Sequence, residues 1–232
     1  MQITESELFA YIECPVYYQI QYERQQITAK KTLKKLIEQV VQYFFVNLLN
    51  GKVKTYKELQ IKWDKLCKDM PQLTHQEVIK GWGTIIKIVE YAQNEKLIVG
   101  DVACTYRLPV GTHQIVGQIP IVLVFPDKHI ELLYFDYGEK HLDKDNLIHL
   151  TKYSLDYFGF KSVYEIEPQY VKIHQVKYNE DVLLTKSIED WQRLQAALSG
   201  VCKCLEQKIY FPRETLFCKS CPAHYFCGYW KP

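Results

Sequence analysis

Apolar side chains recur at the spacing of one helix face through the first 95 residues of the chain. Thr4 and Glu7 form the hydroxyl–carboxylate pattern of a helix start, and Asn50-Gly51 is typical of a helix end. We expect Pro15 to break the first helix near its middle. The pattern predicts helices over residues 4–24, 30–50, 55–69 and 75–95.

The patterning then changes to short runs rich in Val, Ile, Leu and Tyr, separated by turn residues. These runs predict strands over residues 97–108, 114–125, 130–136 and 169–178. Two more helices are predicted over 144–159 and 187–207. The order indicates an α/β fold, in which a mixed central β-sheet is flanked by helices, with a helical region before it and a cysteine-rich segment after it.

Length and composition set limits on the class of protein. A chain of 232 residues suits one substantial domain, and no apolar run reaches the roughly 18 residues of a membrane span. The first residues lack the pattern of a signal peptide. We therefore expect an intracellular protein, cytoplasmic or nucleoid-associated, without a membrane partner. In that reducing setting, the eight cysteines are expected to be ligands and buried thiols rather than disulfides.

Positive charge is concentrated in one part of the chain. The formal net charge is only +2, yet between Thr28 and Cys67 nine lysines face three carboxylates. The local excess suits a phosphate backbone, and a solvated helical face is the alternative. The predicted nucleic-acid-binding lysines are Lys30, Lys31, Lys34 and Lys35.

Four cysteines near the two ends of the chain have the spacing of metal ligands. Cys218 and Cys221 form a C-x2-C pair, and Cys227 follows six positions later. Cys14, next to a proline at the far end, is the candidate for the fourth ligand. Such a set would join the two ends of the chain, and its spacing alone favours a structural Zn²⁺ site.

The run Cys14-Pro15-Val16-Tyr17-Tyr18 and the closing run from Phe211-Pro212 to Cys227 resemble the ends of one nuclease group. This group is the RecB-like iron–sulfur branch of the PD-(D/E)XK superfamily, which includes the AddB nuclease domain and CRISPR adaptation nucleases. The resemblance implies a [4Fe–4S] cluster held by Cys14, Cys218, Cys221 and Cys227, with Zn²⁺ as the alternative. It also implies a single domain over 1–232, made of a helical subregion (25–95), a restriction-endonuclease-like core (97–180) and a helix with a cluster-binding tail (187–232).

The catalytic motifs of that family are incomplete in this chain. The metal-binding aspartate of the first motif strand falls at Pro120, and the lysine of the next strand falls at Gly138. Asp136 matches the family's second aspartate. Leu33–Glu38 is the best match to the family's early-helix histidine motif and has no histidine, and His149 stands where the family has glutamine.

These losses predict a catalytically inactive nuclease fold that binds DNA, as single strands or duplex ends, or serves as a subunit with protein partners in a DNA-processing or transcription complex. One alternative is an active Mg²⁺- or Mn²⁺-dependent nuclease that uses Asp136 and Lys140 as displaced catalytic residues. Its second carboxylate would come from Asp101, Glu131 or Glu139. Another alternative is a pure protein-interaction module.

Overall fold

The computed structural model describes residues 1–27, 32–148 and 151–229, with the backbone only at Asn146, Ile148, Leu216 and Phe217. Lys30, Lys31 and His149, which the sequence analysis singled out, lie outside the described residues. The chain divides into two compact units. Unit 1 comprises Met1–Lys30, Tyr106–Gly117 and Ile188–Pro232, and unit 2 comprises Lys31–Thr105 and Gln118–Ser187.

Helices and strands follow the order expected from the sequence. The α-helices of the described residues are α1 (Glu5–Glu13), α2 (Pro15–Tyr18), α3 (Leu33–Leu49), α4 (Tyr56–Lys68), α5 (His75–Asn94), α6 (Lys144–Ile148), α7 (Thr151–Tyr164) and α8 (Ile188–Glu206). Their strands are β1 (Gln2–Thr4), β2 (Val99–Val110), β3 (His113–Val124), β4 (Ile130–Asp136), β5 (Tyr170–Gln175) and β6 (Glu180–Leu184). A π-helical turn, Gln19–Glu23, follows α2.

The strands form one mixed sheet in the order β1-β3-β4-β5-β6, and β2 pairs with β3. In unit 2, β3 and β4 are antiparallel with Ile121 opposite Leu133. Strand β5 runs parallel to β4, and β6 runs antiparallel to β5. The connection from β4 to β5 passes through α6 and α7, as a parallel crossover requires.

Three capped helices build the core of unit 2. Thr55 and Thr74 each form a reciprocal capping box with the carboxylate three residues later, which fixes where α4 and α5 begin. The apolar faces of α3, α4 and α5 pack together with β3 and β4 around fully buried Phe44, Phe45 and Trp63. This packing holds α3 beside the sheet and leaves its polar face, with Lys34 and Lys35, exposed.

Unit 1 is held by contacts between its two chain ends. Strand β1 pairs in parallel with β3, where Ile3 lies opposite Ile115. The hydroxyl of Tyr11 donates a hydrogen bond of 2.5 Å to the carbonyl of Ile209. Arg213 donates one of 2.6 Å to the carbonyl of Ile12, at the end of α1. The segment after α8 is therefore fixed to the first helix.

The fold class predicted from sequence is confirmed, because a mixed central sheet is flanked by helices. The predicted strand over 169–178 is wrong at its end: β5 stops at Gln175, a turn follows, and β6 pairs back onto it. The three-residue β1 was also missed, because it is too short to show an alternating pattern. Among the described residues, no helix is long and apolar enough to cross a membrane.

Candidate functional site

A cleft of about 530 Å³ opens in unit 2 beside the end of β4. Helix α3, strands β2, β3 and β4, and helix α7 all contribute residues to its lining. Its polar and aromatic lining consists of Lys34, Lys35, Glu38, Gln39, Gln42, Gln118, Tyr134, Phe135, Asp136, Tyr137, Lys152 and Tyr153. Lys34, Lys35 and Lys152 are three positive charges, against which Glu38 and Asp136 place two negative ones.

Asp136 is the last residue of β4, and its side chain is half-buried in the cleft. Its Oδ2 accepts a hydrogen bond of 3.2 Å from the backbone N–H of Gly138. A Cβ atom added at Gly138 would lie 3.0 Å from that same oxygen. The carboxylate therefore caps the turn after β4, and any side chain at the expected lysine position would have to displace it.

Pro120 faces the same cleft from β3 and is exposed. The paired register of β3 with β4 begins at Ile121, directly after the proline, which has no N–H to contribute. Nearby, Ala103 of β2 has a φ of 58°, and Gln118 donates a hydrogen bond of 3.3 Å to its carbonyl. The position expected to hold a metal-binding aspartate thus offers no ligand atom.

Glu38, on α3, supplies the second carboxylate of the cleft, and Lys34 lies 3.8 Å from it as an exposed ion pair. Burial raises the pKa of the Tyr137 hydroxyl, and the negative charges of Glu38 and Asp136 raise that pKa further. Among the described residues, no group of three or more His, Cys, Asp or Glu side chains is arranged to hold one metal ion. The two carboxylates of the cleft already have partners, since Glu38 pairs with Lys34 and Asp136 accepts from the Gly138 N–H.

A buried acid supports the α7 side of the cleft. Asp156 is fully buried and accepts a hydrogen bond of 2.7 Å from the hydroxyl of Tyr134. Lys152 lies 3.8 Å from the same carboxylate and 5.6 Å from the centre of the Tyr134 ring. Burial, with the charges of Asp136 and Asp156, raises the pKa of Tyr153 to about 12. These contacts hold the tyrosine rings and the lysine in place, and the helical pattern around Asp156 gave no sign of them.

Of the residues named for a displaced catalytic site, Asp136 lines the cleft, whereas Lys140, Asp101, Glu131 and Glu139 are not among its described lining residues. Strand β4 ends at Asp136, so Lys140 lies beyond it, exposed. Glu139 forms ion pairs with Lys80 and Lys177. Buried Glu131 pairs with Lys172 at 2.5 Å, and Asp101 accepts from the backbone N–H of its neighbour at 2.7 Å. Because β4 ends at Asp136, the strand does not continue to Lys140.

The four cysteines singled out by their spacing line one small cavity of about 40 Å³ in unit 1. Val16, Tyr17 and Ala223 give it apolar walls, and Arg213 lies at its edge. The backbone N–H of Thr215 donates to Cys218 Sγ at 3.4 Å. The cavity is therefore a pocket of four soft sulfur donors, shielded by apolar side chains and supplied with an N–H donor and one cation.

The thiols are close enough to influence one another electrostatically. Burial raises the pKa of Cys221, and negative charge on Cys14, Cys218 and Cys227 raises it further. A cation that binds thiolates would remove this mutual repulsion. The donor set fits both metal groups expected from the sequence, since zinc and iron–sulfur clusters are each held by four cysteines.

Comparison with known proteins gives a likeness of fold. A crystal structure from Eubacterium rectale, described as that of a "Putative exonuclease", has a TM-score of 0.63 at 12% identity, over 100% of this chain and 90% of that chain. The crystal structure of SSO0001 covers 90% of this chain and 93% of that chain at 11% identity, with a TM-score of only 0.40. No family model matches, and no curated protein is similar in sequence. The chain therefore shares its overall fold with the Eubacterium rectale protein.

Proposed function

We propose that this protein is a nuclease-derived, catalytically inactive nucleic-acid-binding subunit, descended from the RecB-like iron–sulfur branch of the PD-(D/E)XK nucleases. The observation that carries the proposal is the composition of the unit 2 cleft. It presents lysines and tyrosines to a ligand, while Pro120 and Gly138 stand at the positions expected to supply a metal ligand and a catalytic lysine.

The cleft has the groups that a nucleic-acid strand needs for binding. Lys34, Lys35 and Lys152 can contact phosphates, and their contribution falls with salt because bound counterions are released. Tyr153 is half-buried beside Tyr134, with ring centres 5.2 Å apart, and offers an edge on which a base can pack. Gln39, Gln42 and Gln118 add uncharged hydrogen-bonding groups to the lining.

Hydrolysis of the phosphodiester needs groups that the cleft does not assemble. In metal-dependent nucleases, a divalent ion activates water and stabilises the developing charge. The carboxylates available here are Asp136, which caps a turn through Gly138, and Glu38, which pairs with Lys34. We therefore expect binding without cleavage. In a larger DNA-processing or transcription complex, the protein would serve as a nucleic-acid-binding subunit.

We further propose that the four-cysteine cavity holds a [4Fe–4S] cluster, with structural zinc as the alternative. Zinc sites and iron–sulfur clusters are both held by four cysteines, and Cys14, Cys218, Cys221 and Cys227 line one cavity. The resemblance of the runs around Cys14 and Cys227 to the iron–sulfur nucleases supports the cluster over zinc. The N–H of Thr215 and the guanidinium of Arg213 lie where they would offset the negative charge of a cluster with four thiolate ligands.

Anaerobically purified protein, assayed with labelled single-stranded and duplex DNA in Mg²⁺ or Mn²⁺, tests the proposal. We expect salt-sensitive binding and no cleavage, either by the parent or by Asp136→Ala. Cleavage by the parent that Asp136→Ala abolishes would establish an active nuclease instead. Absence of binding to any nucleic acid, by protein shown to be folded, would favour a pure protein-interaction module.

A further inference from the structure

A second cavity of about 280 Å³ lies in unit 2, and Tyr137 lines both this cavity and the cleft. Helix α5 supplies Lys80, Thr84 and Lys87 to its lining. The turn after β4 and the segment after β5 supply Glu139 and Lys177. Three lysines and one carboxylate thus line the same cavity.

Glu139 occupies the centre of this lysine group. Its Oε2 lies 2.9 Å from Lys177 Nζ, and its Oε1 pairs with Lys80. These two lysines lower its pKa to about 2. The backbone of Glu139 is held as well, because its carbonyl accepts hydrogen bonds of 2.7 Å from Tyr178 and 3.2 Å from Lys177. The carboxylate is exposed, so water and ligands can reach it.

The charge of the cavity is not balanced by this carboxylate. Lys80, Lys87 and Lys177 give three positive charges against one negative charge. Lys87 is exposed and has no carboxylate partner among the described residues. An anion with more than one acceptor oxygen would meet lysines from two different elements, which a single carboxylate only partly neutralises.

The cavity and the cleft share Tyr137, and Asp136 in the cleft lies three residues before Glu139 in the cavity. Gly138, at the position expected to hold the catalytic lysine, lies between them in sequence and also lines the cavity. A strand whose phosphates contact Lys34 or Lys35 in the cleft can therefore continue past Tyr137 into the second lysine group.

We propose that this second cavity is a phosphate-binding subsite for the nucleic-acid strand that occupies the cleft, and that Glu139 fills it until a phosphate displaces the carboxylate. The proposal rests on the proposed nucleic-acid binding and deepens it. Displacing Glu139 frees Lys80 and Lys177 for the ligand but breaks two ion pairs, so the carboxylate weakens binding and selects against weakly anionic ligands.

Substituting Glu139 by glutamine gives the sharpest test, because the proposal predicts a gain in nucleic-acid affinity, which misfolding would not produce. Affinity for fluorescein-labelled oligodeoxythymidylate of about 20 nucleotides, measured by anisotropy over a series of salt concentrations, is the readout. We expect Glu139→Gln to bind about threefold to fivefold more tightly at low salt. Glu165→Gln is the matched control, since it removes one exposed negative charge at the end of α7, outside both cavities.

The double variant Lys80→Gln/Lys177→Gln tests the same subsite by removing the lysines that would bind the phosphate. We expect about tenfold weaker binding and a salt slope shallower by about 1.4, the value for two phosphate contacts of a single strand. If Lys34→Gln/Lys35→Gln weakens binding while Glu139→Gln and the Lys80/Lys177 variant equal the parent, the subsite is disproved and the cleft proposal stands. If the folded parent binds no nucleic acid, the proposed function itself fails.

Discussion

The cysteine cavity of unit 1 and the cleft of unit 2 are the two places where the family resemblance predicts bound metal, and they differ in how well their residues match that prediction. In unit 1, all four expected donors, Cys14, Cys218, Cys221 and Cys227, line one cavity. In unit 2, the expected aspartate is Pro120 and the expected lysine is Gly138. The first site has the full donor set that the resemblance implies, whereas the second lacks two of the side chains that the resemblance implies for catalysis.

The proposed metal and the proposed absence of catalysis would differ in what they contribute to the fold. A metal held between the chain ends would contribute directly to the free energy of folding, so loss of a ligand would destabilise the segment that it fixes. Absence of a catalytic group would leave the packing intact. The Asp136 carboxylate that remains has a structural partner in the Gly138 N–H. This contrast predicts that substitutions in the two sites will affect different measurable properties.

Substitution of a cavity cysteine should give the largest effect. We expect Cys221→Ser to lose the bound metal and to destabilise unit 1 by several kcal/mol, on the scale of about 10 kcal/mol known for structural metal sites. Metal analysis and thermal unfolding of anaerobically purified protein measure both changes. A cluster would give about four irons per chain, with sulfide and visible charge-transfer absorption, whereas zinc would give one colourless ion.

Cys67→Ser is the matched control for that substitution. Cys67 is a half-buried thiol on α4 of unit 2, away from the cavity. We expect the Cys67→Ser variant to have the same metal content as the parent and nearly the same stability. Equal metal content in the parent and Cys221→Ser would break the comparison, because the unit 1 cavity would then not be a metal site.

Replacing Pro120 by aspartate should partly rebuild the lost site. The variant places a third carboxylate in the cleft with Glu38 and Asp136, which supplies the oxygen ligands that Mn²⁺ prefers. We expect Mn²⁺ binding with a Kd near 1 mM, equivalent to about 4 kcal/mol. Electron paramagnetic resonance titration measures it, and Pro120→Ala controls for removing the proline. Equal Mn²⁺ binding by Pro120→Ala would show that the cleft never lacked a ligand.

Removing cleft lysines should weaken nucleic-acid binding without changing the fold. We expect Lys34→Gln/Lys35→Gln to lower affinity about tenfold, or about 1.4 kcal/mol, and to reduce the salt dependence. Lys57→Gln/Lys65→Gln, on exposed positions of α4, removes equal charge outside the cleft and should have a smaller effect. Equal losses in both variants would mean that net charge, and not the cleft, determines binding.

The sequence predicted the fold class and most elements because their signals are local. Helical spacing and capping residues such as Thr55 and Thr74 mark where α4 and α5 begin. The cysteines were found because their spacing is itself a chemical signal. The role of Asp156 and the lysine group around Glu139 was missed, since each depends on partners distant in the chain, such as Tyr134 and Lys80.

Substitution in a polar network of unit 2, away from the cleft, gives the smallest expected effect. It should change the stability of the fold and leave nucleic-acid binding unchanged. Asp181 accepts hydrogen bonds from His174 Nδ1 at 2.7 Å and from the Tyr91 hydroxyl at 3.0 Å, and the Tyr91 ring stacks on His174 at 3.6 Å. Burial works to raise the pKa of Asp181, but these bonds and the charge of Lys172 outweigh it, so the pKa is lowered.

Because the pKa of Asp181 is lower in the folded chain, its contribution to stability is present above the unfolded value of about 3.9 and is lost as pH falls through the folded value. We expect Asp181→Asn to lose about 1 kcal/mol of unfolding free energy at neutral pH and to approach the parent in acid. Denaturant unfolding across that pH range measures this, with exposed Asp64→Asn as control. A difference from the parent that persists unchanged in acid would mean that shape, and not the carboxylate charge, sets the stability here. Nucleic-acid binding by Asp181→Asn should equal that of the parent, because the network lies outside the cleft lining.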